Sequence, residues 1–331
     1  MTTTRRSLSG FVVLAGALAM VPMSANAQDF PSKAITLIVP FAAGGPSDVI
    51  ARLVGDHMSR TLGQSVVVEN VAGAGGTAGA RRLTTSEADG HTLLIHHLAL
   101  AAAPSLYNNL AYDTKTAFAP VGLINTGPMV ITGKLGLAPK SATDFFTFAK
   151  ASGDKLTLAH AGVGSNAHLC GLLIAQALGT RFTQVPYRGT GPAMTDLMGG
   201  LVDVLCDQST TAVPQILGEK IQAYAVTSPS RLDVLPNIST AGEAGTAINM
   251  TVWHGLYAPK GTPASTLDKL NSALQASLAD ANITARFASF GTTTFTAGER
   301  GRGAHEKLFQ SEIAKWATTL AAAGIATSEA K

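Results

Sequence analysis

The apolar residues of this chain follow two patterns that alternate along it. Short continuous apolar runs, such as residues 35–41 and 156–160, are each followed by a glycine-rich turn and then by a stretch in which apolar residues recur every three or four positions. A short continuous run is typical of a buried strand, and apolar residues at the longer spacing give a helix one apolar face. The alternation therefore predicts repeated strand–turn–helix units.

The same order of elements occurs twice. The predicted strands and helices are 35–41, 48–62 and 65–69 in the first half, and 156–160, 166–178 and 182–187 in the second. Each set has the length of a βαβ unit, in which a helix connects two parallel strands. We therefore predict the α/β class, with two lobes that each contain a mixed, mainly parallel sheet flanked by helices.

Two further helices are predicted near the C-terminus, one opened by Thr262 and Pro263 and one around residues 304–323. Because they follow the second unit, we place them back on the first lobe. The chain would then cross between the lobes near Thr126 and near Thr251. The predicted first lobe is residues 28–125 and 252–331, and the predicted second lobe is residues 126–251.

The first 27 residues have the pattern of an export signal. Arg5 and Arg6 precede an apolar run at residues 11–21, and Ala25-Asn26-Ala27 has the small residues of a cleavage site. We predict a signal peptide at residues 1–27 that is cleaved after Ala27, because an uncleaved anchor normally needs about 20 apolar residues. Residues 4–8 partly resemble a twin-arginine signal, so the sequence leaves the Sec and twin-arginine routes both open.

The mature chain is nearly neutral. Loss of Arg5 and Arg6 with the signal lowers the formal net charge of the chain from +3 to +1. A nucleic-acid-binding surface needs a concentration of Lys and Arg. We therefore expect no nucleic-acid partner.

Four glycine-rich turns each stand between a predicted strand and a predicted helix, at residues 41–48, 72–77, 161–166 and 187–193. The first amides of a helix have no intrahelical partner, and the helix carries a partial positive charge at this end. Each turn is therefore a candidate seat for a carboxylate or another anion. The pattern predicts a protein that binds acids.

Several motifs taken together resemble the Bug family, the solute receptors of tripartite tricarboxylate transporters. Any one of these glycine motifs is weak alone, but their order and spacing hold from about residue 30 to about residue 325. The motifs are Val39-Pro40-Phe41-Ala42-Ala43-Gly44-Gly45-Pro46-Ser47-Asp48, Val68-Glu69-Asn70, Asp89-Gly90-His91-Thr92, Ala161-Gly162-Val163-Gly164-Ser165, Val185-Pro186-Tyr187-Arg188-Gly189 and Pro259-Lys260-Gly261-Thr262-Pro263.

The resemblance implies a type II-like, two-lobe periplasmic binding protein with its ligand cleft between the lobes. It implies a receptor that carries a small organic carboxylate to the membrane subunits of the transporter without a cofactor, and a monomer is the default for a two-lobe receptor. By this resemblance the first lobe holds one ligand carboxylate through Phe41, Gly44, Gly45, Pro46, Ser47, Asp48, Gly75 and Gly76. The far end of the ligand meets Ser165, Asn166, Gly189, Thr190, Gly191, Pro192 and the neighbourhood of Asp207 in the second lobe.

The sequence leaves several side-chain roles open. Many relatives carry small residues where this chain has His96 and His97, and adjacent strand side chains face opposite sides, so at most one of the two enters the cleft. Either ring could donate to the ligand or be a satisfied or exposed histidine, and no third ligand is spaced with them for a metal. Arg188 could grip a second carboxylate or pair with an acid at the surface.

Cys170 and Cys206 are the only cysteines of the chain. Export to an oxidising compartment favours a disulfide, and both residues are predicted near the cleft end of the second lobe. Two buried free thiols are the alternative.

Other functional classes remain as alternatives. An exported enzyme has little support, because the chain has neither a GxSxG elbow nor an HExxH pair. A sensor that presents its ligand to a signalling protein would differ from a transport receptor only in its partner. The sequence also leaves open whether the ligand is a dicarboxylate, a tricarboxylate, an aromatic acid or a neutral compound.

Overall fold

The computed structural model describes residues 1–4, 30–322 and 324. The predicted signal peptide falls almost entirely on residues outside this set. Within residues 30–322, no helix is both long enough and apolar enough to cross a membrane.

The described residues form ten strands and ten α-helices. The strands are β1 (Ile35–Val39), β2 (Val66–Asn70), β3 (Thr92–His97), β4 (Phe118–Gly133), β5 (Thr157–His160), β6 (Thr183–Pro186), β7 (Val204–Gln208), β8 (Gln222–Val226), β9 (Thr251–Pro259) and β10 (Thr293–Thr294). The helices are α1 (Pro46–Leu62), α2 (Thr77–Thr84), α3 (Ala99–Ala102), α4 (Ala142–Ser152), α5 (Asn166–Leu178), α6 (Thr190–Met198), α7 (Ser209–Leu217), α8 (Ala264–Ala279), α9 (Ala281–Ser289) and α10 (Arg302–Ala322).

The strands lie in the order β2-β1-β3-β9-β4-β7-β5-β6, with β8 and β10 also paired to β4. Within the first lobe β1 runs parallel to β2 and β3, and within the second β5 runs parallel to β6 and β7. The long strands β4 and β9 are antiparallel to each other. Parallel pairs at both ends and antiparallel pairs in the middle make a mixed sheet, as predicted.

Strand β4 belongs to both lobes. Its residues 118–128 pair with β9, whereas residues 129–133 pair with β7 and β8, so the partner changes between Pro128 and Met129. The chain returns at Thr251, where β9 begins beside Pro128. The lobe bounds near Thr126 and Thr251 stay a prediction, which this change of partners supports.

The apolar faces predicted for the helices are buried against the sheet. Ile50, Val54 and Met58 of α1 share a buried cluster with β1 and with Leu270 and Leu274 of α8. These residues recur at helical spacing, so one face of each helix covers the first lobe. Helix α8 therefore packs against α1 and β1, which supports the predicted placement of this helix on the first lobe.

One of the two helix starts differs from the sequence prediction. Helix α1 begins at Pro46 with Gly45 as its N-cap, two residues before the predicted start at residue 48. Proline is favoured at a first helical position because its missing N–H would have no partner there. In α5 the N-cap is Ser165, whose side chain accepts the His168 N–H at 3.2 Å. Asn166 is the first helical residue, so its side chain is not needed for capping.

Cys170 of α5 and Cys206 of β7 are joined by a disulfide, with Cα atoms 6.2 Å apart. Both residues are fully buried. The bond ties a helix to the central strand of the second lobe, close to the point where the strand ends.

The disulfide should contribute to the stability of the isolated protein. Because it links residues 36 positions apart, it restricts the unfolded chain, and reduction should lower the unfolding free energy by about 3 kcal/mol. Denaturant titration with and without a thiol reductant measures this difference, and the double variant Cys170→Ala/Cys206→Ala should not respond to the reductant. Two alkylated thiols in unreduced protein, seen by mass spectrometry, would contradict the bond.

Candidate functional site

A small cavity lies between the two lobes. About 20 Å³ of cavity volume remains there, which is room for about one water molecule. The lining residues come from the ends of strands and the starts of helices in both lobes: Phe41, Gly45, Pro46, Ser47, His97, Met129, Ala161, Ser165, Asn166, Ala167, Thr190, Asp207 and Gln208.

Four helices begin at this cavity. Ser47 lies in the first turn of α1, Asn166 opens α5, Thr190 opens α6 and Gln208 is the N-cap of α7, and all four residues line the cavity. The first turn of a helix has amides without intrahelical partners and carries the positive end of the helix dipole. No Lys or Arg is among the lining residues. Positive charge in the lining is therefore limited to the partial charges of the backbone amides at these helix starts.

Eight of the residues predicted for the site lie outside the cavity lining: Gly44, Asp48, Gly75, Gly76, Arg188, Gly189, Gly191 and Pro192. From the sequence, all four glycine turns are predicted to bind an anion. In the structure, some of their residues line the cavity and others do not. Three of these residues, Gly44, Gly191 and Pro192, line a neighbouring surface groove.

Asp48 stabilises the first glycine turn. Its carboxylate accepts the Gly44 N–H at 3.0 Å, the Asn70 Nδ2 at 3.0 Å and two hydrogen bonds from Arg52. Burial raises the pKa of this carboxyl, but the hydrogen bonds from Arg52, Gly44 and Asn70 outweigh it and the pKa is lowered. The carboxylate and the Gly44 amide are thus committed to each other rather than available to a ligand.

Gly75 and Gly76 allow the turn at residues 72–77 to pack closely. A Cβ added to Gly75 would lie 1.7 Å from the Val163 carbonyl oxygen of the other lobe, and one added to Gly76 would lie 2.8 Å from the His96 ring. Both glycines also have positive φ, at 62° and 104°. The Tyr107 hydroxyl donates to the same Val163 oxygen at 2.6 Å. This turn therefore joins the lobes beside the cavity.

The turn before α6 meets the first glycine turn backbone to backbone. The Ala42 N–H donates to the Arg188 carbonyl oxygen at 3.0 Å. A Cβ on Gly191 would lie 2.4 Å from the Ala43 oxygen, and one on Gly189 would lie 2.8 Å from the Ala42 nitrogen. The Arg188 side chain is exposed, and its backbone carbonyl is the group that accepts this hydrogen bond from the other lobe.

His97 lines the cavity and His96 does not, which agrees with the alternation of strand side chains. His97 Nδ1 accepts the Ala99 N–H at 3.2 Å, and its ring stacks on Phe41 with centroids 5.0 Å apart. Burial, together with the nearby rings of His96 and His254, holds the pKa of His97 well below its usual value. The ring is neutral, and because Nδ1 accepts, the ring hydrogen is on Nε2.

Ser47 and His254 form a hydrogen bond of 3.2 Å in the wall of the site. Burial lowers the pKa of His254 to about 3, and its Nδ1 atom has no partner among the described residues. A hydrolytic triad needs a third group that orients the histidine through this second nitrogen. The pair therefore lacks the geometry of an activated nucleophile.

Asp207 and Asn166 bring unpaired polar atoms to the cavity. Asp207 is 0 % exposed; its Oδ2 accepts from the Thr211 hydroxyl, and its Oδ1 has no partner among the described residues. Burial raises the pKa of Asp207 to about 6, against the effect of hydrogen bonds from Thr211, Gln208 and Thr190. Asn166 is 2 % exposed, and neither its Oδ1 nor its Nδ2 has a partner in the described chain.

Sequence reasoning did not select four of the lining residues: Met129, Ala161, Ala167 and Gln208. Ala161 begins a predicted glycine-rich turn, Ala167 directly follows that turn, and Gln208 is next to Asp207. Their positions in the sequence therefore pointed to the site. Met129 is an apolar residue of a buried strand and carried none.

Comparison with known proteins gives the same fold and a family. Residues 50–325 match the family described as tripartite tricarboxylate transporter family receptor. A UPF0065 protein of Agrobacterium vitis is 43% identical over 318 residues, which cover 96% of this chain and 92% of that protein.

Two solved structures superpose closely. The periplasmic binding protein BugD is 40% identical with a TM-score of 0.88, covering 90% of this chain and 100% of its own. MatC from Rhodopseudomonas palustris, with bound malate, is 38% identical with a TM-score of 0.85, covering 88% of this chain and 100% of its own. The two-lobe α/β binding-protein fold predicted from the sequence is confirmed, and so is the prediction of a receptor rather than an enzyme.

Asp207→Asn should change the stability of the protein in a pH-dependent way. The folded-state pKa of Asp207 is raised to about 6 from 3.8, so the native state binds the proton more tightly and the unfolding free energy falls as pH rises from about 4 to above 6. The variant removes this cost. It should therefore be more stable than the wild type at pH 7.5, by on the order of 1–3 kcal/mol, and similar to it below about pH 4.

Denaturant titrations of both proteins across this pH range measure the difference. Asp154→Asn, which changes an exposed carboxylate of the same lobe, is the matched control. A stability difference that does not vary with pH would contradict the raised pKa.

Proposed function

Because this chain belongs to the tripartite tricarboxylate transporter receptor family, we propose that it is an extracytoplasmic receptor that captures a small organic carboxylate between its lobes and delivers it to membrane subunits. The observation that carries the proposal is the convergence of four helix starts on one cavity between the lobes. Such amides solvate an anion without a cationic side chain. Residues 1–27 would be the signal that exports this receptor to the periplasm, cleaved after Ala27, and the mature receptor would act as a monomer.

The carboxylate would bind where the first turns of α1 and α5 face each other. Ser47 and Asn166 lie at these two helix starts and both line the cavity. The neutral ring of His97 adds a candidate donor at Nε2 without adding charge. Of the predicted site residues, Phe41, Gly45, Pro46, Ser47, His97, Ser165, Asn166, Thr190 and Asp207 are the ones that we assign to ligand contact.

The predicted site residues outside the cavity lining would contribute to closure of the two lobes rather than to contact with the ligand. The lobes touch through the Ala42–Arg188 hydrogen bond, the Tyr107–Val163 hydrogen bond and the close approach at Gly191. A cavity of about 20 Å³ has no room for an organic acid, so the ligand would enter an open form and shift an equilibrium toward a closed one. The bending would occur at the two points where the chain crosses between the lobes, between Pro128 and Met129 of β4 and at the start of β9 near Thr251.

The ligands in two structural relatives indicate which class of acid to test first. MatC, 38% identical to this chain, has bound malate, and a second Rhodopseudomonas palustris protein, 30% identical, has bound adipate. A small aliphatic dicarboxylate is therefore the first class to test, ahead of tricarboxylates and aromatic acids.

A carboxylate should stabilise this protein where the matching amide does not. Malate and succinate should raise the melting temperature, whereas the diamide of each at the same concentration should not. The reason is that the amides at the helix starts bind the anionic group. At a concentration 100-fold above the dissociation constant, the acid should add about 2.7 kcal/mol to the unfolding free energy. Thermal unfolding with and without each compound measures this, and equal shifts from acid and diamide would contradict the proposal.

Gly191→Ala should weaken ligand binding by preventing closure. The added Cβ would lie 2.4 Å from the Ala43 oxygen across the interface, whereas the open form has no such clash. We expect at least a tenfold loss of affinity for the acid, with little change in the stability of the unliganded protein. Isothermal titration calorimetry measures the affinity, and small-angle scattering measures compaction on ligand addition.

The matched control is Gly199→Ala at the other end of α6. Its Cβ would lie 3.4 Å from the Thr195 oxygen, an ordinary contact within the same helix. This variant should bind and compact as the wild type does. Wild-type affinity in Gly191→Ala would show that closure of this interface is not needed for binding.

A further inference from the structure

Two buried polar side chains in the cavity lack the partners that buried groups normally have. Asp207 Oδ1 is an acceptor with no donor among the described residues, and both amide atoms of Asn166 are unpaired. Both residues line the cavity and both are at least 98 % buried. Buried polar groups are almost always hydrogen-bonded, so an unpaired pair facing one cavity indicates partners supplied by the ligand.

One hydrogen bond from the protein reaches the Asp207 carboxylate by its geometry, from the Thr211 hydroxyl to Oδ2. The Thr190 hydroxyl and the Gln208 amide lie near enough to lower the pKa of Asp207. Oδ1 is left without a donor, and no Lys or Arg lines the cavity to pair with it. The titratable groups in the lining are Asp207 and His97, and His97 is neutral.

A ligand group next to Oδ1 must therefore be a donor. A second carboxylate at this position would repel Asp207 without an intervening cation. A hydroxyl would donate to Asp207 and accept from the Asn166 amide, and an ammonium would donate to Asp207 and to the Asn166 oxygen. Since both amide atoms of Asn166 are unpaired, either orientation of its side chain offers one donor and one acceptor.

We propose that Asp207 and Asn166 form a subsite for a hydrogen-bond donor, a hydroxyl or an ammonium, carried on the carbon chain of the ligand. The subsite selects hydroxy or amino carboxylates over the unsubstituted acid of the same length. This inference rests on the proposed function, because it places the donor of a ligand whose carboxylate is held at the helix starts.

The test uses three acids that differ at one carbon. Malate carries a hydroxyl, aspartate an ammonium, and succinate neither, while all three have the same four-carbon chain and two carboxylates. The affinity of the mature protein for each is measured by isothermal titration calorimetry at pH 7.5. We expect malate, aspartate or both to bind at least tenfold more tightly than succinate, and which of the two binds more tightly distinguishes hydroxyl from ammonium recognition.

Asp207→Asn should affect the affinity for the substituted acids, malate and aspartate, differently from the affinity for succinate. The variant replaces an anionic acceptor with a neutral amide of the same shape, so the substituted acid should lose roughly tenfold or more in affinity, in line with a charge-assisted hydrogen bond. Succinate should bind as tightly as before or more tightly, because a negative charge has been removed. Asn166→Ala should also reduce the preference for the substituted acid, and Asp154→Asn should leave all three affinities unchanged.

The outcomes separate this inference from the proposed function. If the three acids bind equally well, or if Asp207→Asn weakens all three by the same factor, the donor subsite is overturned while carboxylate binding stands. If none of the three acids binds, and a wider set of carboxylic acids also leaves the melting temperature unchanged, the proposed function fails and the subsite with it. Loss of the substituted acid alone in Asp207→Asn supports the subsite.

Discussion

The first turns of α1, α5 and α6 and the N-cap of α7 meet at the cavity between the lobes, and their amides have no partners within their own helices. Everything else in the site follows from this arrangement. The strands end here because a strand–turn–helix unit places each helix start at the carboxyl end of its strand, and the two lobes face each other with the same ends. A site of this kind can hold an anion while its side chains stay neutral.

Most ionisable side chains in and around the cavity are either neutral or paired with an opposite charge. His97 and His254 are buried and neutral, and Asp48 is neutralised by Arg52 away from the lining. Asp207 is the exception, a buried carboxylate whose unpaired oxygen opposes folding. Under the proposed subsite, a donor on the ligand would compensate for this cost. The pKa of Asp48 is lowered by its hydrogen-bond partners and the pKa of Asp207 is raised by burial, so the surroundings of each carboxylate set its protonation behaviour.

Much of the fold was predictable because local patterns decide it. The strand at residues 35–41, the helix after it and the repeat of this order near residue 156 are set by apolar spacing. The division of labour among the glycine turns was not predictable. Gly75 and Gly45 look alike in sequence, yet Gly75 contacts the backbone of the other lobe and Gly45 lines the cavity, because each depends on what lies opposite in the folded protein. The side-chain bonds of Asp48 to Asn70 and the contribution of α7 were hidden for the same reason.

The chain crosses between the lobes at two adjacent points. Strand β4 changes partners between Pro128 and Met129, and β9 begins at Thr251, which pairs with Pro128. Since both connections lie side by side in hydrogen-bonded strands, we expect the lobes to rotate about a single axis that passes through them. The size of a molecule enclosed between the lobes would then set the angle at which this rotation stops.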